Sequence, residues 1–543
     1  MKEPAWNIRG DLEWGTIPGM LRAVTERHPD RLAIVDGATA LTYAQLSAAA
    51  DNVARALLTA GVERGDRVAV WLPNCWEWVA AALGAQLAGA ALVPVNTRFK
   101  GPEAAFVLRR SRAVAIFTTT EFLGVDYVAM LREAAAAEPL PHLRALVAIG
   151  DARTSETASS WDEFIAAGAA VDTADLRARE ASIAGTDLSD ILFTSGTTGH
   201  PKGAMCTHAQ TLRAYRDWSE IVGIRGEDRY LIVNPFFHGF GYKAGWLASL
   251  MMGATTYPMA TLDVGELLET VERHRITVLP GSPTLYQTML ADSRLHDHDL
   301  SSLRLSVTGA AVVPIELIRR MRAQLTFQTI ITGYGLTESG AITTMSRAED
   351  SPETIASTAG RPIPDTEVIV VDDDGKVVTD EPGDVLARGY NVMLGYYDDP
   401  SATAAAIDAD GWLHTGDIGV MNADGYLKIT DRKKDMFIVG GFNAYPAEIE
   451  NMILEHQSIS QVAVIGVPDA RMGEVGMAFV VPLPSQTIEP DVLISWCRDR
   501  MANYKVPRYV EIVDTLPLNP AGKVLKDPLR ERARSSLGLT VGG

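Results

Sequence analysis

Thr194-Ser-Gly-Thr-Thr-Gly-His-Pro-Lys-Gly203 sets hydroxyls on Thr194, Ser195, Thr197 and Thr198 around Gly196 and Gly199, and adds the ammonium of Lys202. Glycines let a backbone turn tightly and aim several N–H groups at one spot; the hydroxyls and the lysine supply further donors. Such a loop suits oxyanions, phosphates above all. The run Asp190-Ile-Leu-Phe193 just ahead of it reads as the end of a buried strand. The loop therefore sits where a strand gives way, the ligand-binding position of an open α/β sheet. It is not the Gly-x-x-x-x-Gly-Lys-Ser/Thr phosphate loop, because Pro201 precedes Lys202 and Gly203 follows it. A Gly/Ser/Thr-rich surface loop is the competing reading for a shorter run of such residues; the density of the whole decapeptide argues for a site.

Outward from this loop, strands and helices alternate. Arg31-Leu-Ala-Ile-Val35 reads as a strand, and Thr42 as the N-cap of a helix through Leu58. Arg67-Val-Ala-Val-Trp-Leu72 is a continuous apolar run, as expected of a parallel strand buried on both faces. Residues 78–95 are uncharged but rich in Ala and Gly, and they end at Pro94 and Val95. A buried helix followed by the strand Ala91-Leu-Val-Pro-Val95 explains them better than a membrane span. On the far side of the loop, Val264, Leu267, Leu268 and Val271 mark an amphipathic helix. Ile276-Thr-Val-Leu279, Ser306-Val-Thr-Gly309 and Thr329-Ile-Ile-Thr332 follow as strands. The fold class expected is α/β, a large N-terminal domain of largely parallel sheets. After Asp365 the texture turns to a β-rich subdomain with Asp/Gly turns, and Asp431-Arg-Lys-Lys-Asp435 is a charged break. Beyond it lies a compact α+β unit. The expected domains are 1–433 and 434–543.

A chain of 543 residues, 47% hydrophobic, is too long for one core. A net charge of −19 argues against nucleic acid or an anionic membrane as the main partner, while leaving room for an anionic cofactor in a locally positive pocket. Cys75, Cys206 and Cys497 are far apart, which fits a reduced, cytoplasmic protein without a zinc site. No apolar signal segment opens the chain, so a cytoplasmic location with no integral membrane segment is expected.

Three further stretches carry chemistry. Gly333-Tyr-Gly-Leu-Thr-Glu338 lets a flat ligand approach Gly333 and Gly335, offers Tyr334 as a stacking face and Glu338 as a hard ligand for Mg²⁺; a tight turn with a solvated Glu is the alternative. Thr415-Gly-Asp417 presents a carboxylate fit to accept both hydroxyls of a ribose, though a lone turn of this kind is common. Pro235-Phe-Phe-His-Gly-Phe-Gly241 sets His238 among aromatics and glycines, either as a core histidine or beside a ligand. Gly440 and Gly441 make an open segment after the charged break, and Asn519-Pro-Ala-Gly-Lys523 presents a lysine on a turn.

In this order, and over nearly the whole chain, these motifs resemble the adenylate-forming superfamily of acyl-CoA synthetases, luciferases and peptide-synthetase adenylation domains. The resemblance implies a set of roles. Thr194 to Lys202 would grip the β,γ-phosphates of ATP, Thr337 the α-phosphate and Glu338 the Mg²⁺. Tyr334, beside Gly335, would stack near adenine, and Asp417 with Arg432 would hold the ribose. Lys523 would bridge the carboxylate and the α-phosphate, so that Lys523, Glu338, Thr194 and His238 are the catalytic candidates. Lys434 matches a hinge about which the small domain turns, and Gly440 and Gly441 would line the channel for coenzyme A. Asn519 departs from the Thr of many relatives and leaves Lys523 intact.

The acid is narrowed by what is missing. Between residues 234 and 253 there is no Asp or Glu to pair an amino-acid ammonium, and a buried unpaired ammonium is costly. The expected pocket, Phe237, His238, Tyr242, Gly309, Ala310 and Gly333, is largely apolar. Lys243 is either a polar contact or a lysine reaching the surface. Residues 234–245 look most similar to actinobacterial fatty-acid-type ligases, and among them to those activating the bicyclic indane propionate left from steroid rings C and D; medium- or long-chain fatty acids are the alternative, and an acceptor other than coenzyme A a further one. A P-loop NTPase is countered by the missing Gly-Lys-Ser/Thr, and a serine hydrolase by the absence of Gly-x-Ser-x-Gly. A homodimer is a general expectation for large cytosolic enzymes.

Overall fold

The computed structural model describes residues 9–150, 158–194, 201–309, 313–432, 435–439, 442–469, 471–501, 503–519 and 524–537. Its first large sheet has seven strands in the spatial order Lys202–Thr207, Leu188–Thr194, Ala91–Pro94, Arg67–Trp71, Ala115–Thr119, Ala145–Ile149 and Ser159–Ser160. Leu188–Thr194 runs parallel to Ala91–Pro94 and antiparallel to Lys202–Thr207. The expected helix after Thr42 is Tyr43–Thr59, opened by a capping box between Thr42 and Gln45. The uncharged stretch resolves into the helix Trp76–Leu87, buried at every position from Trp78 onward, and the strand Ala91–Pro94. Among the described residues no helix is long and apolar enough to cross a membrane.

A second sheet is built in two halves. One runs Arg229–Ile232, Thr255–Pro258, Leu32–Asp36, Thr39–Thr42; the other Leu305–Gly309, Thr329–Tyr334, Thr344–Met345, Arg361–Pro362. The strand expected at Ile276-Thr-Val-Leu279 is reduced to Val278, which bridges Tyr230 on one side and Leu305 on the other. The chain cannot continue as a strand, because Pro280 lacks an N–H and a helix, Pro283–Ala291, begins at once. The β-rich part is an antiparallel sheet of Thr366–Val371, Pro382–Gly389, Leu413–Met421 and Leu427–Arg432. The last sheet joins Phe442–Ala444, Phe437–Val439, Gly473–Pro482 and Ile459–Asp469, with Tyr509–Ile512 parallel to Gly473–Pro482. It has its own apolar core around Phe437, Ile453, Val464, Phe479 and Leu493. The helix Pro490–Arg498 ends where the N–H groups of Arg500 and Met501 share the Cys497 carbonyl.

One buried base ties the N-terminal segment to the sheet. His208 opens the helix His208–Val222, is 1% exposed, and its Nδ1 accepts the Ile17 N–H at 3.3 Å. Burial holds its imidazole down from 6.5 to about 4, against a smaller upward pull from Asp187. The folded state binds this proton less readily than the unfolded chain. The stability it contributes is thus complete above the unfolded value of 6.5 and is lost as pH falls towards 4. That loss amounts to about 3 kcal/mol. His208→Asn, which keeps an acceptor and does not titrate, is expected to flatten the fall of the thermal midpoint between pH 6.5 and 4; an unchanged acid limb would refute this.

Candidate active site

Thr194, Gly309 and Gly333 lie at or next to the carboxyl ends of three strands. Thr194 ends one strand, paired with Lys202 across the hairpin, and its Oγ1 donates to the Lys202 carbonyl at 3.4 Å. Ser195, Gly196, Thr197, Thr198 and Gly199 lie outside the described residues, as do Ala310, Lys434, Gly440, Gly441 and Lys523. Gly309 and Gly333 pair side by side on adjacent parallel strands. A Cβ on Gly309 would stand 2.6 Å from the Gly333 carbonyl oxygen, so only glycine permits this approach.

Beyond Gly333 the chain passes Tyr334 and the exposed Gly335 into a short 3₁₀ turn, Thr337–Ser339, which carries Glu338. The Tyr334 hydroxyl donates to Asp417 Oδ2 at 2.5 Å, and Asp417 is 2% exposed. Asp417 and Arg432 are cross-strand partners in the antiparallel sheet. The two residues expected at a ribose thus stand opposite one another, with Tyr334 reaching over to the first.

Glu338 has a partner that sequence reasoning missed. The Tyr396 hydroxyl donates to Glu338 Oε1 at 2.8 Å, and the Lys202 ammonium lies 5.2 Å from the centre of the Tyr396 ring. Burial, then the Glu338 charge, raise the Tyr396 phenol, so it stays a hydrogen-bond donor. The surrounding segment is stitched to both neighbours. The Met393 N–H donates to the Glu338 carbonyl at 2.8 Å and the Tyr397 N–H to the Gly203 carbonyl at 2.7 Å, while Tyr396 bridges Ala204. The stretch Asn391-Val-Met-Leu-Gly-Tyr-Tyr397 carries no local signal of this pairing. Glu338 suits Mg²⁺ as a hard carboxylate whose orientation is fixed by Tyr396, and Mg²⁺ commonly takes one or two carboxylates alongside phosphate oxygens and water.

The wall expected on the acyl side is the segment after Ile232. Asn74 fastens it, accepting the Phe236 N–H at 2.7 Å and donating to the Asn234 carbonyl at 3.0 Å. Phe237 is half-buried. His238 is reachable by solvent yet walled in by enough protein that burial lowers its pKa; its Nδ1 accepts the Phe240 N–H at 3.2 Å. A Cβ on Gly239 would stand 2.7 Å from the Ala341 side chain, so this wall presses against the turn that carries Glu338.

Two side chains lie elsewhere than expected. Tyr242, expected to line the pocket, is fully buried; its ring stacks on Trp246 with centroids 5.0 Å apart, and its hydroxyl accepts from Gln86 at 2.9 Å. Its large apolar ring finds more contact in the aromatic core of Trp78, Phe236 and Trp246 than at the pocket surface. Lys243 neither reaches the surface nor lies in the open: it is 1% exposed, and its ammonium stands 2.9 Å from Asp190 Oδ1.

Comparison with known proteins adds to this geometry. The AMP-binding enzyme signature matches residues 21–397, and that of the AMP-binding enzyme C-terminal domain matches 448–523. The chain is 50% identical over 516 residues to a 7a-methyl-1,5-dioxo-octahydro-inden-4-yl propanoyl:CoA ligase of Mycobacterium tuberculosis, covering 95% of this chain and 98% of that one. It is 46% identical over 520 residues to the ligase of the same name from Rhodococcus jostii, covering 96% and 99%. Among solved structures, an anthranilate CoA ligase in complex with anthranoyl-AMP superposes with a TM-score of 0.87 at 28% identity, covering 97% of this chain and 98% of that one.

Proposed function

This chain belongs to the AMP-binding enzymes, and on that premise we propose that its acid is a bicyclic, steroid-derived indane propionate. The enzyme is an ATP-dependent, AMP-forming acyl-CoA synthetase that works through an acyl-adenylate. A carboxylate oxygen attacks the α-phosphorus of ATP and diphosphate leaves. The thiol of coenzyme A, giving up its proton, then attacks the acyl carbonyl and AMP leaves. The observation that carries the choice of acid is identity of 50% across 95% of the chain to a ligase named for that acid. A pocket wall without Asp or Glu over residues 234–253 supports it, since it suits a fused apolar ring system and disfavours an amino acid.

In this reading Thr194, Lys202 and the residues 195–199 between them hold the β,γ-phosphates, and Thr337 the α-phosphate. Asp417, oriented by Tyr334, takes the ribose hydroxyls together with Arg432. Glu338, oriented by Tyr396, would hold Mg²⁺, which supplies positive charge to offset that of the phosphates. Phe237, His238, Gly309, Ala310 and Gly333 line the acyl side. Lys523 approaches the reacting carboxylate and α-phosphate, where positive charge counters the repulsion between two anions in the in-line transition state. Residues 434–543 form the part that turns about Lys434, bringing Gly440 and Gly441 to the coenzyme A channel. We place the enzyme in the cytoplasm and expect a homodimer, which light scattering of the purified protein would check.

AMP release with ATP, Mg²⁺ and coenzyme A, measured across octanoate, palmitate, benzoate, the bicyclic dione propionate and amino acids, tests the acid. The bicyclic acid is expected to lead in kcat/KM by at least about a hundredfold, the scale on which a shaped site discriminates between substrates. Palmitate or octanoate in first place would overturn the choice of acid, and AMP release independent of coenzyme A would overturn the acceptor.

A further inference from the structure

Asp190 and Lys243 form a charged pair inside the protein, 0% and 1% exposed, at 2.9 Å. Removing two charges from water is costly, and a buried pair is often no more stabilising than apolar side chains of the same volume. Its place in the fold suggests a reason beyond stability. Asp190 lies on the strand Leu188–Thr194, which runs straight into the phosphate loop. The register against Lys202–Thr207 is regular from Asp190 to Thr194, so Asp190, Leu192 and Thr194 share one face of the strand. The acyl wall lies along that face. Lys243 pairs with Asp190, and a Cβ on Gly239 would meet Leu192 Cδ1 at 3.8 Å. The next residue on the face, Thr194, is at the site.

The wall needs such an anchor because its helix is irregular. Two helical segments meet across a kink within Tyr242–Leu247, where Gly245 leaves helical geometry with ψ −106°. Lys243 occupies the first turn of this stretch. On the strand side, Asp190 is held in place: its Oδ2 accepts from Ser189 Oγ at 2.6 Å and from Thr211 Oγ1 at 3.4 Å. Gln86 spans the same two elements, donating to the Ser189 carbonyl at 3.2 Å and to the Tyr242 hydroxyl at 2.9 Å. Burial alone would drive the Lys243 ammonium towards neutrality, but the facing Asp190 carboxylate outweighs it and holds the lysine above its ordinary value.

We propose that Asp190 and Lys243 are positioning residues for adenylation: they lock the acyl wall to the strand feeding the phosphate loop and so fix where the carboxylate meets the α-phosphate. The inference rests on the adenylating activity and not on which acid is used. Neither side chain touches a substrate. A small misplacement between reacting groups can cost about a hundredfold in rate, whereas ATP, gripped by its own loops, should bind as before.

The test is the pair of double variants D190L/K243M, apolar and of similar volume, and D190N/K243Q, a neutral pair able to hydrogen-bond. Each is read by diphosphate release in single turnover without coenzyme A, using whichever acid of the panel the unaltered enzyme turns over fastest, and by its thermal midpoint. The apolar pair is expected to keep its thermal midpoint within about 5 °C and its KM for ATP within about threefold, while adenylation slows by about ten- to a hundredfold. The amide pair is expected to recover adenylation to within about threefold of the unaltered enzyme. An apolar pair that adenylates at the normal rate overturns the proposal, as does an amide pair no faster than the apolar one. If the apolar pair fails to fold, the amide pair decides alone: adenylation slowed by more than about threefold against the unaltered enzyme overturns the proposal. A mistaken choice of bicyclic acid would appear as another panel acid leading in the unaltered enzyme and leaves this comparison intact.

Discussion

Lys523→Ala is expected to slow acyl-adenylate formation by about a thousandfold, the scale of removing a positive charge supplied to a phosphoryl-type transition state. The reacting partners are both anions. The carboxylate must approach an α-phosphorus that already carries negative oxygens, and the ammonium is the group assigned to stand between them. Thioester formation starts from the neutral acyl carbonyl of a mixed anhydride and has no such need. The same variant is therefore expected to convert supplied acyl-AMP and coenzyme A to product within about threefold of the normal rate, a selective loss that a folding defect would not produce. Near-normal exchange of diphosphate into ATP by the variant would remove Lys523 from the mechanism.

Glu338→Gln should be the next most damaging change. The substitution keeps shape and an oxygen acceptor but removes the negative charge that would hold Mg²⁺. A loss of about a hundredfold in kcat is expected, with a rise in the Mg²⁺ concentration needed for half-maximal rate. Tyr396→Phe moves the same two quantities in the same direction but less, since it frees the Glu338 carboxylate from its 2.8 Å hydrogen bond without neutralising it. A Glu338→Gln enzyme with an unchanged Mg²⁺ requirement would show that the carboxylate serves the turn and not the metal.

The fold was largely legible because its signals are local. Continuous apolar runs such as Arg67–Trp71 mark strands buried on both faces, and Thr42 with Gln45 marks a helix start within four residues. Leu305–Gly309, which ends in glycine, and Thr329–Tyr334, with Gly333 one residue from its end, pointed to the carboxyl ends where the site was expected. What could not be read was set by partners far along the chain. Lys243 as an isolated residue looks like a surface lysine; only Asp190, more than fifty positions earlier, makes its burial tolerable. Tyr242 looks like a pocket aromatic until Trp246 and Gln86 are seen to claim both its face and its hydroxyl. Tyr396 gives no sign in its own stretch that Glu338 is its acceptor, because the two are brought together by the bridge to Ala204 and the Met393 hydrogen bond.

The single-residue bridge at Val278 bears on how the second sheet comes apart. Around that valine, residues 277–281 hydrogen-bond to both four-stranded halves: the Thr277 and Val278 N–H groups to the Arg229 carbonyl and the Leu231 N–H to the Val278 carbonyl on one side, the Leu279 N–H to the Leu305 carbonyl, the Leu305 N–H to the Thr277 carbonyl and the Gly281 N–H to the Val307 carbonyl on the other. Arg304, beside Leu305, also pairs with Asp228, beside Arg229, so the halves are bound as one cooperative unit. Amide protons on either side would then exchange with solvent as one group with a shared opening energy. The half bearing Gly309 and Gly333 would not breathe without loosening the half that bears Arg229–Ile232.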